Sequence, residues 1–486
     1  MKTKITGKTA EILFLLFVFA AEAVLAANEA FGMMPDEFSH FEVVYYIYRH
    51  GIIPTGYEPQ IQVPYWGASY AFQPVLAYMI QGWLMRFIDL FTDNIYILAL
   101  SARLVDCTFG VIMAWFVRQI SKLMWDGKTM QWLFTFMVVL LPENLYIHSY
   151  INTDSMAAMS VAIIIYAMLK GEEDDYSRRT MVLLSAGISI CLLSYYNAYG
   201  AVLTAFICFF VHFLSAKRYR AMWGKAGFVA LLVLIMAGWW FIRSGILYNG
   251  DIFGLSARRA LAVREAEPQY SPLTKQTFAG QGISLKDMLL SNDYLKLVYR
   301  SFICVMGNFD IQTSDMIYTL DKYLIAAAAL LALVPAGDTV SYWHRGNKRR
   351  AQRVYVEILL SADIVITLFM HMIYSYGYDW QPQGRYLLPM LIPLMYFLAL
   401  GADKGGQLIQ RAAGAAYAVP GEKGNKRSKA AGAAVTAVRI AIMSYIVFTV
   451  VYTLKVHVLP LYFGDADFRS YAGRTWQQVI PQFMMK

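Results

Sequence analysis

Apolar runs of about 17 to 25 residues recur along most of this chain, and each is long enough to cross the ~30 Å hydrocarbon core of a bilayer as an α-helix. Hydrophobic residues make up 58% of the 486 residues, whereas charged residues make up only 15%. A soluble globule of that length would need more polar residues to cover its surface. The sequence therefore predicts an all-α polytopic membrane protein.

About eleven of the apolar runs are predicted to be transmembrane helices. Their approximate positions are 11–27, 96–117, 130–147, 155–170, 180–197, 199–215, 226–243, 318–336, 354–374, 386–402 and 433–457. The first run also resembles a secretory signal peptide, because it ends in small residues that suit cleavage. We favour an uncleaved anchor, since Glu11 and Glu22 interrupt the apolar run. In either case, residue 28 begins on the outer side of the membrane.

A further apolar segment at 74–90 is only just long enough to cross, and the distribution of charge decides against it. If it does not cross, the basic loops at about 217–225, 345–353 and 404–429 all face the cytoplasm, as the positive-inside rule requires. We therefore predict that 74–90 is a helix lying along the outer surface. The amino terminus is then cytoplasmic, and the carboxyl-terminal tail at 458–486 is external.

On this topology, residues 1–402 form one transmembrane module with two long outer loops, at about 28–95 and 244–317. These are the only external segments long enough to build an active site. The second loop includes an amphipathic stretch, Asn292–Val305, that predicts another surface helix. Residues 403–432 are rich in Gly, Ala and Lys, and we interpret them as a flexible, basic connector in the cytoplasm that leads to the last span.

The net charge of +9 does not predict a nucleic-acid partner, because the basic residues concentrate in loops between spans, where they set orientation. The four cysteines lie in or beside apolar runs, at Cys107, Cys191, Cys208 and Cys304. Cysteines in such positions give no disulfide framework. The composition thus points to the lipid bilayer as the partner of this chain.

The first outer loop carries an acidic cluster near its start, Pro35-Asp36-Glu37-Phe38-Ser39-His40-Phe41. Asp36 and His40 are four residues apart, so they would share one face of a helix just above the membrane. The helix dipole would keep Asp36 ionised, which suits a general base better than a general acid. The alternative interpretation is that Pro35 and the two acids mark only the start of a helix.

The motif Pro-Asp-Glu-x-x-His-Phe after the first span resembles the signature of a bacterial membrane-protein family, long of unknown function, within the GT-C glycosyltransferase superfamily. More distantly, the chain resembles protein O-mannosyltransferases and aminoarabinose transferases. Further matching motifs follow in order along residues 10–400: Ser69–Pro74, Arg103-Leu104, Asn152-Thr153-Asp154, Gly238–Arg243, Tyr248–Asp251 and Gln383–Pro389. Many relatives have a double proline where this chain reads Phe72-Gln73-Pro74, so the course of the loop there departs from the family pattern.

The resemblance implies a GT-C-like fold in a bacterial inner (cytoplasmic) membrane, with the active site on the extracytoplasmic side. It implies transfer of a sugar from a polyprenyl-phosphate donor, such as an undecaprenyl-phosphate sugar, to a cell-envelope glycan, lipid or protein acceptor, usually with inversion. Asp36 would be the general base that deprotonates the acceptor hydroxyl. Glu37 is the alternative base, and His40 would orient the carboxylate or touch the leaving phosphate.

A lipid phosphate also needs cations at the outer interface. Arg385 stands in a very short outer loop before a span, and Arg243 closes another span on the same side. Both are candidate donor-phosphate ligands, together with Tyr386. The alternative for Arg243 is interfacial anchoring beside Trp239 and Trp240.

Four more residues are candidate contacts for the donor or the acceptor: Asn152, Asp154, Asp251 and Gln383. Asp154 could instead cap the helix that begins beside it. A divalent cation, Mg²⁺ or Mn²⁺, is a candidate cofactor at Asp36 and Glu37. No dense set of ligands accompanies these acids, so the metal stays unassigned.

Ionisable residues inside the spans support a rival class, a lipid-linked-sugar flippase or other membrane transporter, because such groups are costly in the bilayer and often mark a substrate path. Arg103 and Asp106 are spaced three apart, and we predict that they pair with each other. Asp363, near the middle of its span, is the best argument for transport, although no matching Gly/Pro-broken helices accompany it. A third interpretation is a non-catalytic scaffold for envelope assembly.

Overall fold

The structure is a computed structural model that describes residues 7–29, 31–334, 347–415 and 422–460. Within these ranges the chain is predominantly α-helical. In chain order the α-helices are α1 (Gly7–Asn28), α2 (Glu37–His50), α3 (Leu76–Ile88), α4 (Ile95–Met124), α5 (Lys128–Val139), α6 (Pro142–Ile147), α7 (Asp154–Asp174), α8 (Arg178–Leu192), α9 (Tyr199–Ser215), α10 (Tyr219–Leu247), α11 (Leu255–Glu265), α12 (Leu285–Ser291), α13 (Tyr294–Cys304), α14 (Asp315–Leu333), α15 (Asn347–Gly377), α16 (Leu391–Ala415) and α17 (Glu422–Tyr452).

Short irregular helices and one small hairpin complete the described fold. The 3-10 helices are Pro59–Ile61, Tyr70–Phe72, Tyr196–Ala198 and Gly384–Met390, and a π-helix follows α17 at Thr453–Val458. The hairpin consists of strands β1 (Val305–Met306) and β2 (Ile311–Gln312), which pair antiparallel with Val305 opposite Gln312.

Nine segments of the described chain are long and apolar enough to cross a membrane: Gly7–Asn28, Ile95–Met124, Asp154–Asp174, Tyr196–Ser215, Tyr219–Leu247, Asp315–Leu333, Val354–Gly377, Gly384–Ala412 and Ala430–Val458. Each of them coincides with a span predicted from the sequence. The prediction of an all-α polytopic membrane protein is confirmed.

Two predicted spans are shorter than a full crossing. The run at 130–147 is divided into α5 and α6, because the helix ends at Leu140 and Pro142 starts a new one. The run at 180–197 contains α8, whose 15 residues extend about 22 Å. Both helices pack against longer neighbours, α5 against α4 and α8 against α7.

The segment at 74–90 forms α3, whose 13 residues are too few to cross. It packs against α2 and α4, while Trp83 and Phe87 on its other face are exposed. Exposed aromatic side chains on a short helix suit the membrane interface. The structure thus agrees with a surface helix, whereas its assignment to the outer side stays a prediction.

The helices differ in depth within the bundle. In the most apolar stretch of α7, 83% of the residues are buried, so this helix forms the centre of the bundle. In the corresponding stretches of α10 and α14, only 11% are buried. Their exposed side chains include Leu231, Leu234 and Ile235 on α10. Exposed aliphatic residues on peripheral helices are what a lipid-facing surface requires.

The predicted amphipathic helix at Asn292–Val305 is present as α13. The proposed flexible connector at 403–432 is largely helical where the structure describes it, since α16 continues to Ala415 and α17 begins at Glu422. α16 and α17 pack on each other, with an ion pair of 2.7 Å between Arg439 and Asp403, and both helices extend beyond the runs chosen by hydropathy alone. Most of the predicted tail at 458–486 lies outside the described residues.

Candidate active site at the start of the first outer loop

Asp36 stands immediately before α2 in the left-handed backbone conformation, with φ of 61° and ψ of 1°. Its carbonyl oxygen accepts the backbone N–H of His40 at 3.0 Å, so its main chain starts the helix. Its side chain makes no capping hydrogen bond. A carboxylate that only marked a helix start would cap it, so the geometry favours another role for Asp36.

Arg385 binds the Asp36 carboxylate across the molecule. Its Nη2 lies 2.9 Å from Asp36 Oδ2 and 3.1 Å from the Tyr386 hydroxyl, while Nη1 lies 3.2 Å from the Tyr150 hydroxyl. The Arg385 side chain is buried, whereas that of Asp36 is 31% exposed. The arrangement holds one face of the carboxylate and leaves part of it accessible.

Gly384 allows Arg385 to reach this position. A Cβ atom on Gly384 would lie 2.1 Å from the backbone nitrogen of Phe302, so only glycine permits this approach of the Gly384–Met390 turn to α13. The Gly384 N–H also donates to Ser301 Oγ at 2.6 Å. These contacts fix the backbone that carries the arginine.

The electrostatic surroundings keep Asp36 ionised. Burial by itself would raise the pKa of the Asp36 carboxyl, but the charge and hydrogen bond of Arg385, with a hydrogen bond from Tyr70, lower it below its usual value of 3.8. Burial lowers the pKa of His40 to about 4, so its imidazole is neutral at pH 7. The site therefore combines a negative carboxylate with a neutral imidazole.

His40 holds the neighbouring tyrosines in place. Its Nδ1 hydrogen-bonds the Tyr78 hydroxyl of α3, and its ring packs 4.2 Å from that of Tyr70. Tyr70 also hydrogen-bonds Asp36, so His40 contacts the carboxylate indirectly, by packing against Tyr70. The prediction that His40 and Asp36 lie together is supported by this arrangement.

Glu37 is fully buried and paired with Arg103. The two form a bidentate ion pair with N···O distances of 2.7 and 2.8 Å, and the carboxylate also accepts the N–H groups of Gly32 at 2.9 Å and Ile151 at 3.3 Å. Arg103 additionally donates to the Ala26 carbonyl at 2.7 Å. With its oxygens engaged in this way and no exposed surface, Glu37 is a less suitable base than Asp36.

The predicted pairing of Arg103 with Asp106 is therefore wrong. Asp106 accepts hydrogen bonds from Gln81 Nε2 at 2.6 Å and from the Ser155 hydroxyl. Glu37 on α2 offers Arg103 both carboxylate oxygens at once. This bidentate contact determines the partner of Arg103, and the spacing of three residues between Arg103 and Asp106 on α4 does not.

Asp154 and Gln383 lie near Asp36, whereas the contacts of Asn152 are local to the start of α7. Asn152 Oδ1 accepts the Ser155 N–H at 2.8 Å, so it stabilises the start of α7. Asp154 is half-buried in the first turn of α7, in electrostatic range of Arg385 and Asp36. Gln383 lines the cavity described below.

Arg243 and Asp251 stabilise loops. Arg243 Nη2 donates to the carbonyl oxygens of Pro54 at 2.6 Å and Ile53 at 3.4 Å, which ties the first outer loop to the end of α10. Asp251 Oδ2 accepts the N–H groups of Ser256 at 2.7 Å and Ala257 at 3.0 Å, at the start of α11. These contacts favour structural roles for both residues.

A cavity of about 410 Å³ opens beside Asp36. Its walls come from the loops at 28–95 and 244–317, which we predict to be external, and from the segment before α16. They are formed by Gly32, Met34, Pro35, Asp36, Phe38, Ser39, Glu42, Val63, Pro64, Tyr65, Asn308, Phe309, Gln381 and Gln383. Its volume lies within the range of small-ligand sites.

Sequence reasoning missed a cation beside Tyr70, Arg258. The guanidinium carbon of Arg258, on α11, lies 5.7 Å from the centre of the Tyr70 ring, and the side chain is half-buried. Its charge also acts on His40 and Tyr374. Its neighbour Arg259 has the same residue type, so no sequence signal singled out Arg258.

The described residues do not favour a divalent cation at this site. Within them, no group of three or more His, Cys, Asp or Glu side chains is placed to hold a metal ion. Arg385 already supplies a positive charge to Asp36, and Arg103 supplies one to Glu37. Mg²⁺ and Mn²⁺ bind through several oxygen ligands, and this donor set does not provide them.

Fold and site together define an integral-membrane protein with a carboxylate, Asp36, at a cavity between the loops that lie before α4 and between α10 and α14. The chain belongs to the family described as predicted membrane protein (DUF2142), whose model matches residues 62–395. The matched range includes Arg103, Asp154 and Arg385 but begins after Asp36.

Two solved structures illustrate the wider similarity. ArnT from Cupriavidus metallidurans bound to undecaprenyl phosphate is 13% identical with a TM-score of 0.49, over 98% of this chain and 79% of that one. The archaeal oligosaccharyltransferase AglB from Archaeoglobus fulgidus, in complex with an inhibitory peptide and a dolichol-phosphate, is 12% identical with a TM-score of 0.46, over 96% of this chain and 59% of that one. Among curated proteins, no match was found.

Proposed function

We propose that this protein is a GT-C-type membrane glycosyltransferase that moves a sugar from a polyprenyl-phosphate donor to a hydroxyl group of a cell-envelope acceptor, with Asp36 as the general base. The observation that carries the proposal is the ion pair of Asp36 and Arg385 at the rim of the cavity. The ordered motifs that resemble GT-C enzymes give the reaction class.

The reaction requires one proton acceptor. As the acceptor oxygen attacks the anomeric carbon, its O–H proton passes to the Asp36 carboxylate, and the bond from the anomeric carbon to the phosphate oxygen breaks. The electron pair of that bond leaves with the polyprenyl phosphate. Because the leaving group is already a stable anion, the reaction needs a base more than an acid.

Arg385 acts as a positioning residue for this base. It is buried and its charge is balanced by Asp36, so it orients the carboxylate instead of receiving the donor phosphate. Tyr386 contributes to the same orientation through its hydroxyl. The sequence predicted both residues as ligands of the donor phosphate, whereas we now propose that both orient the carboxylate of Asp36.

The donor phosphate is better placed at Arg258. Arg258 lies over the ring of Tyr70, does not line the cavity, and forms no ion pair with the residues that the structure describes. A guanidinium in that state suits phosphate oxygens. The donor phosphate would then bind at Arg258, and the acceptor would occupy the cavity that Asp36 lines.

Transport is the competing proposal, and Asp363 is its motivating residue. Its side chain is buried within α15, and Oδ1 has no hydrogen-bond partner among the described residues. A transporter should lose function in Asp363→Asn and tolerate Asp36→Asn. A glycosyltransferase should show the opposite pattern.

The test incubates purified protein with a panel of polyprenyl-phosphate sugars and follows free polyprenyl phosphate by mass spectrometry. We expect one donor to be consumed by the wild-type protein and by Asp363→Asn, but not by Asp36→Asn. Movement of a donor between leaflets without cleavage, abolished in Asp363→Asn, would contradict the proposal.

A further inference from the structure

The cavity beside Asp36 has a chemical character that narrows the acceptor. Resting on the proposed function, we infer that the cavity receives a neutral, hydroxyl-rich saccharide and discriminates against anionic acceptors. Charge, hydrogen-bonding groups and aromatic rings of the walls each contribute to this assignment.

The charge of the walls is negative or neutral. Asp36 and Glu42 contribute carboxyl groups, and the cavity-lining residues within the described chain include no Arg, Lys or His. Lys275 lies close by, with its ammonium 4.5 Å from the centre of the Trp66 ring, but it is paired with Asp379. Arg385 balances the charge of Asp36 from behind the wall, so an anionic ligand would find no cation of its own among the lining residues.

The polar groups of the walls match hydroxyls. A carboxylate only accepts hydrogen bonds, whereas the amides of Asn308, Gln381 and Gln383 both donate and accept. Gln383 Oε1 is buried without a hydrogen-bond partner among the described residues. A hydroxyl group can donate to that oxygen and accept from a neighbouring amide, while a carboxylate or phosphate group can only accept.

Aromatic rings supply the remaining surface. Phe38, Tyr65 and Phe309 line the cavity, and their ring faces carry partial negative charge that attracts the C–H groups of a sugar ring. Phe309 stands at the tip of the hairpin with φ of 67°, a conformation that is unfavourable for a bulky side chain. A strained backbone at a residue that lines a cavity points to a contact with a ligand.

The test measures binding directly, without turnover. Full-length protein in detergent micelles is titrated with neutral methyl hexosides of the gluco, galacto and manno series, with methyl glucuronide and with methyl glucosaminide, using saturation-transfer NMR. We expect at least one neutral hexoside to bind about tenfold more tightly than the glucuronide. Equal or tighter binding of the glucuronide, binding confined to the glucosaminide, or no binding of any neutral hexoside would overturn the inference.

The variant Phe309→Gly separates ring contact from folding. Glycine adopts positive φ readily, so the turn is kept and the melting temperature should stay equal or rise. Neutral-hexoside binding should weaken roughly fivefold through loss of the ring. The control Phe91→Ala removes a ring that is 73% exposed and outside the cavity, and it should leave binding unchanged. Unchanged binding in Phe309→Gly would contradict the aromatic contact.

Donor consumption tests the proposed function separately from this inference. A protein that cleaves donor but binds no neutral hexoside would retain the glycosyltransferase proposal and lose this inference. A protein that binds hexosides but cleaves no donor in the presence of those hexosides would retain this inference and lose the glycosyltransferase proposal.

Discussion

The guanidinium of Arg385 donates a 2.9 Å hydrogen bond to the carboxylate of Asp36, although 349 residues separate the two in sequence. The pair joins the first outer loop to the segment before α16. Its geometry leaves Asp36 partly exposed at the cavity while Arg385 is buried. A carboxylate held in this way is both oriented and ionised, which are the two requirements of a general base.

Arg385→Met should shift the pH dependence of donor consumption. Without the arginine, burial is no longer compensated and the pKa of Asp36 should rise. A base must be deprotonated, so the acid limb of the pH–rate profile should move to higher pH. An unchanged acid limb, measured on folded variant protein, would show that Arg385 does not act through Asp36.

The same pair should stabilise the fold within a defined pH window. Because the pKa of Asp36 is lowered by folding, its contribution is complete above its unfolded pKa of about 3.9 and is lost as the pH falls through the lower folded value. In Arg385→Met, unfolding in detergent should lose this acid-dependent contribution. Tryptophan fluorescence during acid titration provides the measurement.

Glu37→Gln should destabilise the protein, and it leaves the proposed base, Asp36, in place. The change leaves the Arg103 charge buried without its partner, which typically costs about 3–5 kcal/mol. The exposed pair of Arg264 and Glu265 provides a control, because Glu265→Gln should change stability by less than about 1 kcal/mol. Thermal unfolding that is equally affected by both changes would contradict a structural role for the buried pair.

His40→Gln should reduce the loss of stability in mild acid. The unfolded histidine takes up a proton near pH 6.5, whereas the folded one does so only near pH 4. Stability should therefore fall between these values, by about 2 kcal/mol at pH 5. The variant lacks this titration, so its melting temperature should depend less on pH between 7 and 5. An identical pH dependence would mean that His40 is not buried in its neutral form.

Arg258→Ala should weaken donor binding. If Arg258 holds the donor phosphate, the KM for the polyprenyl-phosphate sugar should rise about tenfold or more with a smaller effect on kcat. Arg259→Ala is the matched control, since Arg259 is exposed on the same helix. Equal effects of the two changes would indicate a general contribution of positive charge instead of a phosphate ligand.

Hydropathy and charge predicted the architecture well, because the bilayer demands long apolar helices. The exceptions are local. Pro142 divides one predicted span, and the ends of α16 and α17 extend through residues that hydropathy alone assigns to a connector. Helix packing, which single-sequence hydropathy does not contain, decides such boundaries.

The residues of the candidate site could be predicted only where a sequence motif indicated them. Asp36 and His40 were proposed from their spacing. Arg385 was proposed from its place before a span, as a phosphate ligand, and its pairing with Asp36 was not predicted. The partner of Arg103 was mispredicted, because the long-range approach of α2 to α4 is invisible in local spacing. The positions of Arg258 beside Tyr70 and of Phe309 at the cavity were missed for the same reason, since they depend on how the 244–317 loop folds.

The most direct measurement is the rate of sugar transfer by Asp36→Asn, with Asp251→Asn as a control from the other outer loop. Asparagine keeps the shape of Asp36 but cannot accept the proton, so the rate, measured on variant protein shown to be folded, should fall by about 10²- to 10⁴-fold. Asp251 stabilises the start of α11, and its variant should retain the wild-type rate once folded. Full transfer activity in a folded Asp36→Asn protein would contradict the assignment of Asp36 as the base.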